Sequence, residues 1–161
     1  MTKNLMEFAT EYSGAWAAHD PDSIAAMHTE DSVFELHELS APAAGRAAVR
    51  DLIATLVTAV PDLRFEHKRA HFGDAHFVSE YVMKGTAEGK PFTIAGVDVF
   101  TMRDGLVARE GQLFGLAGIP TSGRRRPRGN IQRPRRLKCV ALARSTLRDT
   151  VASIGAGSLD T

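Results

Sequence analysis

Four runs of alternating apolar and polar residues in the second half of the chain constrain the fold more than any other feature. This period-two pattern is typical of β-strands that bury one face. The approximate limits of the runs are 63–72, 75–86, 91–103 and 106–114. The segments between them are Gly73-Asp74, Glu88-Gly89-Lys90 and Asp104-Gly105. Because Asp-Gly between alternating runs is a strong hairpin signal, the pattern predicts an antiparallel meander.

Helices and one short strand are predicted ahead of this meander. The first helix is indicated by an apolar stripe at three- and four-residue spacing, namely Leu5, Phe8, Tyr12 and Trp16. Asp20 and Pro21 predict the cap and first position of a second helix. Residues 32–37 predict a short strand, and residues 46–60 a clear helix that Pro61 ends. Helices on one face of a curved antiparallel sheet make an α+β domain.

The charge changes sign along the chain. Residues 1–120 contain ten Lys or Arg and seventeen Asp or Glu, whereas residues 121–161 contain ten basic and two acidic residues. We therefore expect one α+β domain over 1–118 and a basic, Pro- and Arg-rich, disordered tail over 119–161. Such a tail could contact nucleic acid or another polyanion without sequence preference. The alternative is an extension that does not belong to the native protein.

Composition excludes several classes of protein. A single cysteine, Cys139, excludes a disulfide framework and a cysteine-based zinc site. No apolar run approaches the ~18 residues of a membrane span, and the first residues lack the apolar core of a signal peptide. We therefore expect a cytoplasmic protein without membrane contact.

Asp98 is the most informative polar residue, because it falls in the more apolar row of its predicted strand. That row consists of Phe92, Ile94, Gly96, Asp98, Phe100 and Met102. Loss of hydration there would raise the pKa of the carboxyl and favour its neutral form. A neutral carboxylic acid can donate a hydrogen bond to a developing oxyanion. The alternative is an aspartate at a strand bulge, or one paired with a cation such as Arg109.

Other polar residues give weaker signals. The Tyr12 hydroxyl could reach a ligand or Asp98, although a core tyrosine is the simpler interpretation. Glu35 and His37 share one face of the short strand and could act as acid and base, unless that face is solvated. The other histidines, His67 among them, are predicted to be solvated or hydrogen-bonded rather than metal ligands.

The chain resembles the SnoaL-like branch of the nuclear transport factor two-like superfamily, which includes ketosteroid isomerases and polyketide cyclases. Four stretches carry this resemblance in the order that the family uses: EYSGAWAAHDPDSIAAMHTEDSVFE (11–35), AGRAAVRDLIA (44–54), KGTAEGKPFTIAGVDVFTMRDGLVAREG (84–111) and QLFG (112–115). The resemblance implies a cone-shaped, cystatin-like α+β fold. Its curved antiparallel sheet wraps around a long helix, with helices at the N-terminal side.

The resemblance also implies roles for individual residues. Tyr12 matches the first-helix tyrosine, and Asp98 the strand acid, of the ketosteroid isomerase oxyanion hole. The general-base aspartate of those enzymes falls on Leu36, which cannot accept a proton, and Glu35 and His37 flank it on the other face. The polyketide cyclases use one pocket acid for most of the proton handling, and that role is open to Asp98.

We therefore expect an apolar pocket between the first helix and the concave sheet face. The expected substrate-binding residues are Trp16, Phe34, Leu36, Phe92, Ile94, Phe100 and Met102. The expected function is to bind, and to isomerise or cyclise, an apolar steroid- or polyketide-like carbonyl or enol compound without a metal or organic cofactor. The alternatives are a non-catalytic ligand-binding or dimerisation module and polyanion binding through the tail. A homodimer is expected through the outward row Thr93, Ala95, Val97, Val99 and Thr101.

Overall fold

The structure, a computed structural model, describes residues 4–37 and 40–115. The helices are α1 (Leu5–Ala17), α2 (Pro21–Ala26) and α3 (Arg46–Ala59). The strands are β1 (His28–Leu36), β2 (Ala43–Ala44), β3 (Arg64–Phe72), β4 (His76–Ala87), β5 (Lys90–Arg103) and β6 (Leu106–Phe114). The expected α+β fold is confirmed. The predicted tail and the domain boundary at residue 118 lie outside the described residues.

Local sequence signals explain where the first two helices begin. The Asn4 side chain accepts hydrogen bonds from the backbone N–H groups of Met6 and Glu7, so α1 starts with a capping box. The Asp20 side chain caps α2 in the same way, with Pro21 at its first position. The apolar stripe predicted for α1 is buried at Phe8, Tyr12 and Trp16. Both predicted helices are therefore confirmed.

The six strands form one sheet in the order β2-β1-β6-β5-β4-β3. Strands β3 to β6 are the predicted antiparallel meander. Gly89 and Gly105 turn its last two hairpins with φ of 73° and 77°, each preceded by a residue with positive φ. These left-handed conformations explain why glycine occupies both turns.

Strand β1 departs from the prediction in length and direction. It begins at His28 rather than at residue 32, and it pairs with β6 in parallel. The early residues escaped prediction because His28 and Thr29 are polar yet buried. Its direction depends on which edge of the meander accepts the strand. Alternation within one strand carries no information about that choice.

The core lies between the helices and the concave sheet face. Val49, Leu52, Ile53 and Leu56 are the buried residues of α3. Helix α1 lies over the sheet through aromatic contacts, with Trp16 edge-on to Phe65 at 5.3 Å between ring centroids. Tyr12 meets Phe100 edge-on at 5.4 Å. On β5, the row predicted to face inward is buried.

Candidate functional site

A cavity of about 480 Å³ opens between α1 and the concave face of β3 to β6. Four residues of the predicted site line it: Tyr12, Trp16, Asp98 and Phe100. Further lining residues are Phe65, His67, Phe77, Ser79, Tyr81 and Gln112. Aromatic side chains contribute much of the wall, and Asp98, Tyr81 and Gln112 form a hydrogen-bonded polar cluster on it. This composition is typical of a site for a small apolar ligand with one polar function.

Asp98 is the central ionisable group of this cavity. Its carboxylate accepts a hydrogen bond of 2.8 Å from the Tyr81 hydroxyl. Gln112 Nε2 in turn lies 2.5 Å from that hydroxyl oxygen. Burial raises the pKa of the Asp98 carboxyl to about 7, against the opposing hydrogen bonds from Tyr81 and Gln112. The group therefore exchanges its proton near neutral pH, as a general acid or base requires.

Tyr12 belongs to a second buried network. Its hydroxyl donates to Glu110 Oε2 at 2.6 Å and lies 2.9 Å from His28 Nε2. His28 Nδ1 is 3.2 Å from Ser32 Oγ. The Tyr12 hydroxyl is thus paired with Glu110 and His28. The hydroxyl that donates to Asp98 belongs to Tyr81 instead.

Burial favours the uncharged forms of the acid and the base in this second network. Burial, followed by the charge of Asp98, raises the pKa of the Glu110 carboxyl well above its ordinary value. Burial and the nearby charge of Arg46 lower the pKa of His28 to about 4. Both shifts have the same physical cause, the cost of an unpaired buried charge.

Five other predicted site residues lie away from the cavity lining. Phe34, Phe92, Ile94 and Met102 are core residues. Leu36 is also buried, and it lines a much smaller void together with Trp16 and Gln112. The proposed base position is therefore adjacent to the main cavity and occupied by an aliphatic side chain.

Glu35 and His37 lie on the opposite side of β1. Glu35 accepts a hydrogen bond of 2.8 Å from Arg109 Nη2, and its other oxygen is 3.4 Å from His37 Nδ1. Neither residue lines the cavity. Arg109, which sequence reasoning considered as a partner for Asp98, is thus paired with Glu35.

Sequence reasoning missed Tyr81, Gln112, Ser79 and Glu110 as parts of the polar networks. One signal was available for Tyr81. Gly96 sits directly opposite it in the β4–β5 register, and a Cβ at Gly96 would come within 2.5 Å of the Tyr81 ring and hydroxyl. A glycine inside a strand often marks such a close approach.

The described part of the chain contains neither a group of metal-ligating side chains nor a helix suited to a membrane. No three His, Cys, Asp or Glu side chains in residues 4–37 and 40–115 are grouped closely enough to hold a metal ion. None of the helices there is long and apolar enough to cross a membrane.

The SnoaL-like domain model matches residues 9–110. The chain belongs to the SnoaL-like domain family. The match begins within α1 and ends within β6, so it includes part of every element that lines the cavity. It confirms the resemblance seen in the sequence. No protein of curated function matches the sequence significantly.

Solved structures of similar fold agree with this assignment. A hypothetical protein with a ketosteroid isomerase-like fold from Catenulispora acidiphila, in complex with trimethylamine, is 19% identical with a TM-score of 0.64, covering 68% of this chain and 86% of that one. An NTF2-like protein from Burkholderia pseudomallei is 18% identical with a TM-score of 0.65, covering 70% and 92%. SalBIII, an epoxide hydrolase/cyclase-like enzyme of pyran ring formation in salinomycin, is 24% identical with a TM-score of 0.61, covering 69% and 90%. At these identities the likeness shows the fold alone.

Proposed function

We propose that this protein transfers protons to and from an apolar compound with an enolisable carbonyl group, in an isomerisation or cyclisation. The observation that carries the proposal is Asp98, a buried carboxyl with a pKa raised to about 7 on the wall of an aromatic cavity. Steroid- and polyketide-like ketones have the matching chemistry, with a large apolar body and one polar function.

Asp98 is suited to act as the acid of such a reaction. In its neutral form it can donate its proton to the substrate carbonyl oxygen as negative charge develops there. The Tyr81 hydroxyl, which contacts Asp98 Oδ1, would hold the carboxylate that remains. The apolar walls strengthen both hydrogen bonds because they exclude water. No step of this chemistry requires a metal or an organic cofactor.

Exchange of α-protons in 2-tetralone, an apolar bicyclic ketone, tests the proposal. In D2O the protein should accelerate the loss of these protons, which NMR follows directly. Asp98→Asn should slow the catalysed exchange about 100-fold or more, the usual contribution of a general acid or base. Asp104→Asn is the matched control, because Asp104 lies exposed at the β5–β6 turn.

A non-catalytic ligand-binding module is the second candidate, favoured by the leucine at position 36. Trp16 is the single tryptophan of the chain and lines the cavity, so its fluorescence reports on binding. Quenching of the Trp16 fluorescence by 2-tetralone without accelerated proton exchange would support the binding module and contradict the proposed catalysis.

A further inference from the structure

Among the described residues, His67 is the one histidine that lines the cavity. It lies on β3 just before Lys68, the extra residue of a bulge in the β3–β4 pairing. Its Nδ1 is 3.3 Å from the Ser79 hydroxyl oxygen, and its ring is edge-on to Tyr81 at 6.5 Å between centroids. Ser79 is directly opposite Asp98 in the β4–β5 register. The imidazole is therefore separated from the Asp98 carboxyl by one serine side chain.

We propose that His67 is the second catalytic group of this cavity, the base that removes a proton from carbon while Asp98 acts on the carbonyl oxygen. This inference rests on the proposed function and supplies the proton acceptor that Leu36 cannot provide. Because the Ser79 hydroxyl occupies Nδ1, Nε2 is the ring nitrogen left for the substrate.

The hydrogen bond to Ser79 is compatible with the tautomer that the role requires. When Nδ1–H donates to Ser79 Oγ, the lone pair lies on Nε2, the nitrogen that is then able to accept a proton. Burial lowers the pKa of the His67 imidazole from its ordinary value, so the ring is neutral at pH 7. A neutral imidazole beside a carboxylic acid of pKa about 7 gives the site one base and one acid at the same pH.

The other titratable groups that line the cavity do not fit the role of base. They are Tyr12, Lys68, Arg69 and Tyr81. Burial raises the pKa of both tyrosines, so they remain protonated. Lys68 is paired with Glu66 and Arg69 with Glu80, so both cations already have carboxylate partners. Among the described lining residues, only His67 combines access to the cavity with a free lone pair at pH 7.

The proton balance of the step is closed without another reactant. His67 Nε2 takes the proton from the carbon beside the carbonyl, and the electron pair of the broken C–H bond forms the enol double bond. Asp98 gives its proton to the carbonyl oxygen and becomes a carboxylate. In a β,γ-unsaturated ketone the intermediate is a dienol: the imidazolium delivers its proton to the γ-carbon while the enol O–H proton returns to Asp98, which forms the conjugated isomer and restores both groups. In 2-tetralone a deuteron from the solvent returns to the α-carbon, and this is the exchange that is measured.

His67→Asn tests this role, with His71→Asn as the matched control. The asparagine amide keeps a donor close to the position of Nδ1 for the Ser79 bond but provides no base. His71 lies on the same strand, exposed and outside the cavity lining. With 2-tetralone in D2O, His67→Asn should lower kcat/KM for exchange about 100-fold, and His71→Asn should leave it unchanged.

The pH profile separates a catalytic from a structural role. The wild-type kcat/KM should rise as His67 loses its proton and fall as Asp98 loses its own near pH 7. The acid limb should be absent in His67→Asn. Nitrogen NMR of the wild-type imidazole gives a measurement that needs no variant, and it should show the Nδ1–H tautomer.

The outcomes for the two proposals differ. If His67→Asn kept the wild-type rate of exchange and the acid limb of the pH profile, the role of His67 would be wrong and that of Asp98 would stand. An Nε2–H tautomer in the wild-type protein would have the same consequence. A wild-type protein that binds the ketone without accelerating exchange would contradict both.

Discussion

The environment of Asp98 acts on its charge in two opposing ways. Burial penalises the carboxylate, whereas hydrogen bonds from Tyr81 and Gln112 favour it, and burial is the larger effect. The carboxyl consequently holds its proton more tightly in the folded than in the unfolded protein. Its protonated form therefore contributes stability that is fully present below about pH 4, the unfolded pKa.

The stability of the wild-type protein should fall as pH rises from about 4 to about 7, where Asp98 ionises only in the unfolded state. One such group changes the unfolding free energy by up to about 1.4 kcal/mol per pH unit. Asp98→Asn keeps an oxygen to accept from Tyr81 but does not titrate. Urea melts across this pH range should show a shallower dependence of the unfolding free energy on pH for the variant. The contribution of Glu110 to this dependence is present in both proteins. Equal slopes would show that Asp98 is not desolvated.

The two buried tyrosines should have different effects on Asp98. Tyr81 hydrogen-bonds the Asp98 carboxylate and lowers its pKa, so Tyr81→Phe should raise that pKa further. Tyr12 instead donates to Glu110, so Tyr12→Phe should leave the Asp98 titration nearly unchanged. It should still cost about 1–3 kcal/mol of stability, because Glu110 loses its buried donor. Carbon-detected NMR of the Asp98 carboxyl measures this pKa in both variants. If the pKa shifted in Tyr12→Phe and not in Tyr81→Phe, Tyr12 rather than Tyr81 would be the hydrogen-bond donor to Asp98.

Inward-facing residues could be predicted from the sequence, but their partners could not. Alternation along one strand sufficed to place Asp98 on the buried face, and helical spacing did the same for Tyr12. Hydrogen bonds depend on which strands are neighbours and on their register. Tyr12 and Glu110 are 98 positions apart, and nothing local to either residue indicates that they meet.

Gly96 permits the close packing of β4 against β5 at the site. The Tyr81 ring occupies the space above it, so Gly96→Ala should push the hydroxyl away from Asp98. We expect lower stability and a raised Asp98 pKa. Gly14→Ala is the control for loss of backbone freedom, because no atom lies within 4 Å of a Cβ built there. In helix α1 that change should stabilise by about 0.5–1 kcal/mol. If thermal melts rank the two variants in the reverse order, the Tyr81 packing does not constrain the strand pair.

Hairpins were easier to predict than strand neighbours. Gly89 and Gly105 mark their turns by composition, and the strands on either side must then pair. The parallel partner of β1 and the bulge at Lys68 have no comparable signal. Both follow from how the sheet closes around α1 and α3. The bulge matters for function, because it follows His67 directly and local alternation did not anticipate it.

Residues 121–161 should be dispensable for the folded domain. The apolar alternation of the sheet ends with β6 at Phe114, and the family match ends at residue 110. A protein lacking 121–161 should therefore melt within a few degrees of the full chain. A larger loss of Tm would mean that this segment packs on the domain. Any binding of the full chain to DNA should weaken steeply with salt and disappear on truncation. Salt-insensitive binding would contradict an electrostatic contact.

The outer sheet face is the surface that we propose for a homodimer. Val99 and Leu113 are 39% and 47% exposed there. Leu113 pairs across the sheet with Val97, and Thr93 and Thr101 continue the same outward row of β5. The β5–β6 pairing places these uncharged side chains next to one another on the outer face of the sheet. Contiguous exposed apolar surface on a folded domain marks an interaction site.

Leu113→Lys should dissociate such a dimer. In a two-fold contact each partner would bring one lysine into the apolar surface, where an unpaired ammonium loses its hydration. We expect the dimer Kd to rise at least about 100-fold, or about 2.8 kcal/mol. Met6→Lys is the matched control, since Met6 is 63% exposed on α1, away from this face. Sedimentation equilibrium at several concentrations measures both variants against the wild type. A monomeric wild type, or a dimer that tolerates Leu113→Lys as well as it tolerates the control change, would remove the outer sheet face as the contact.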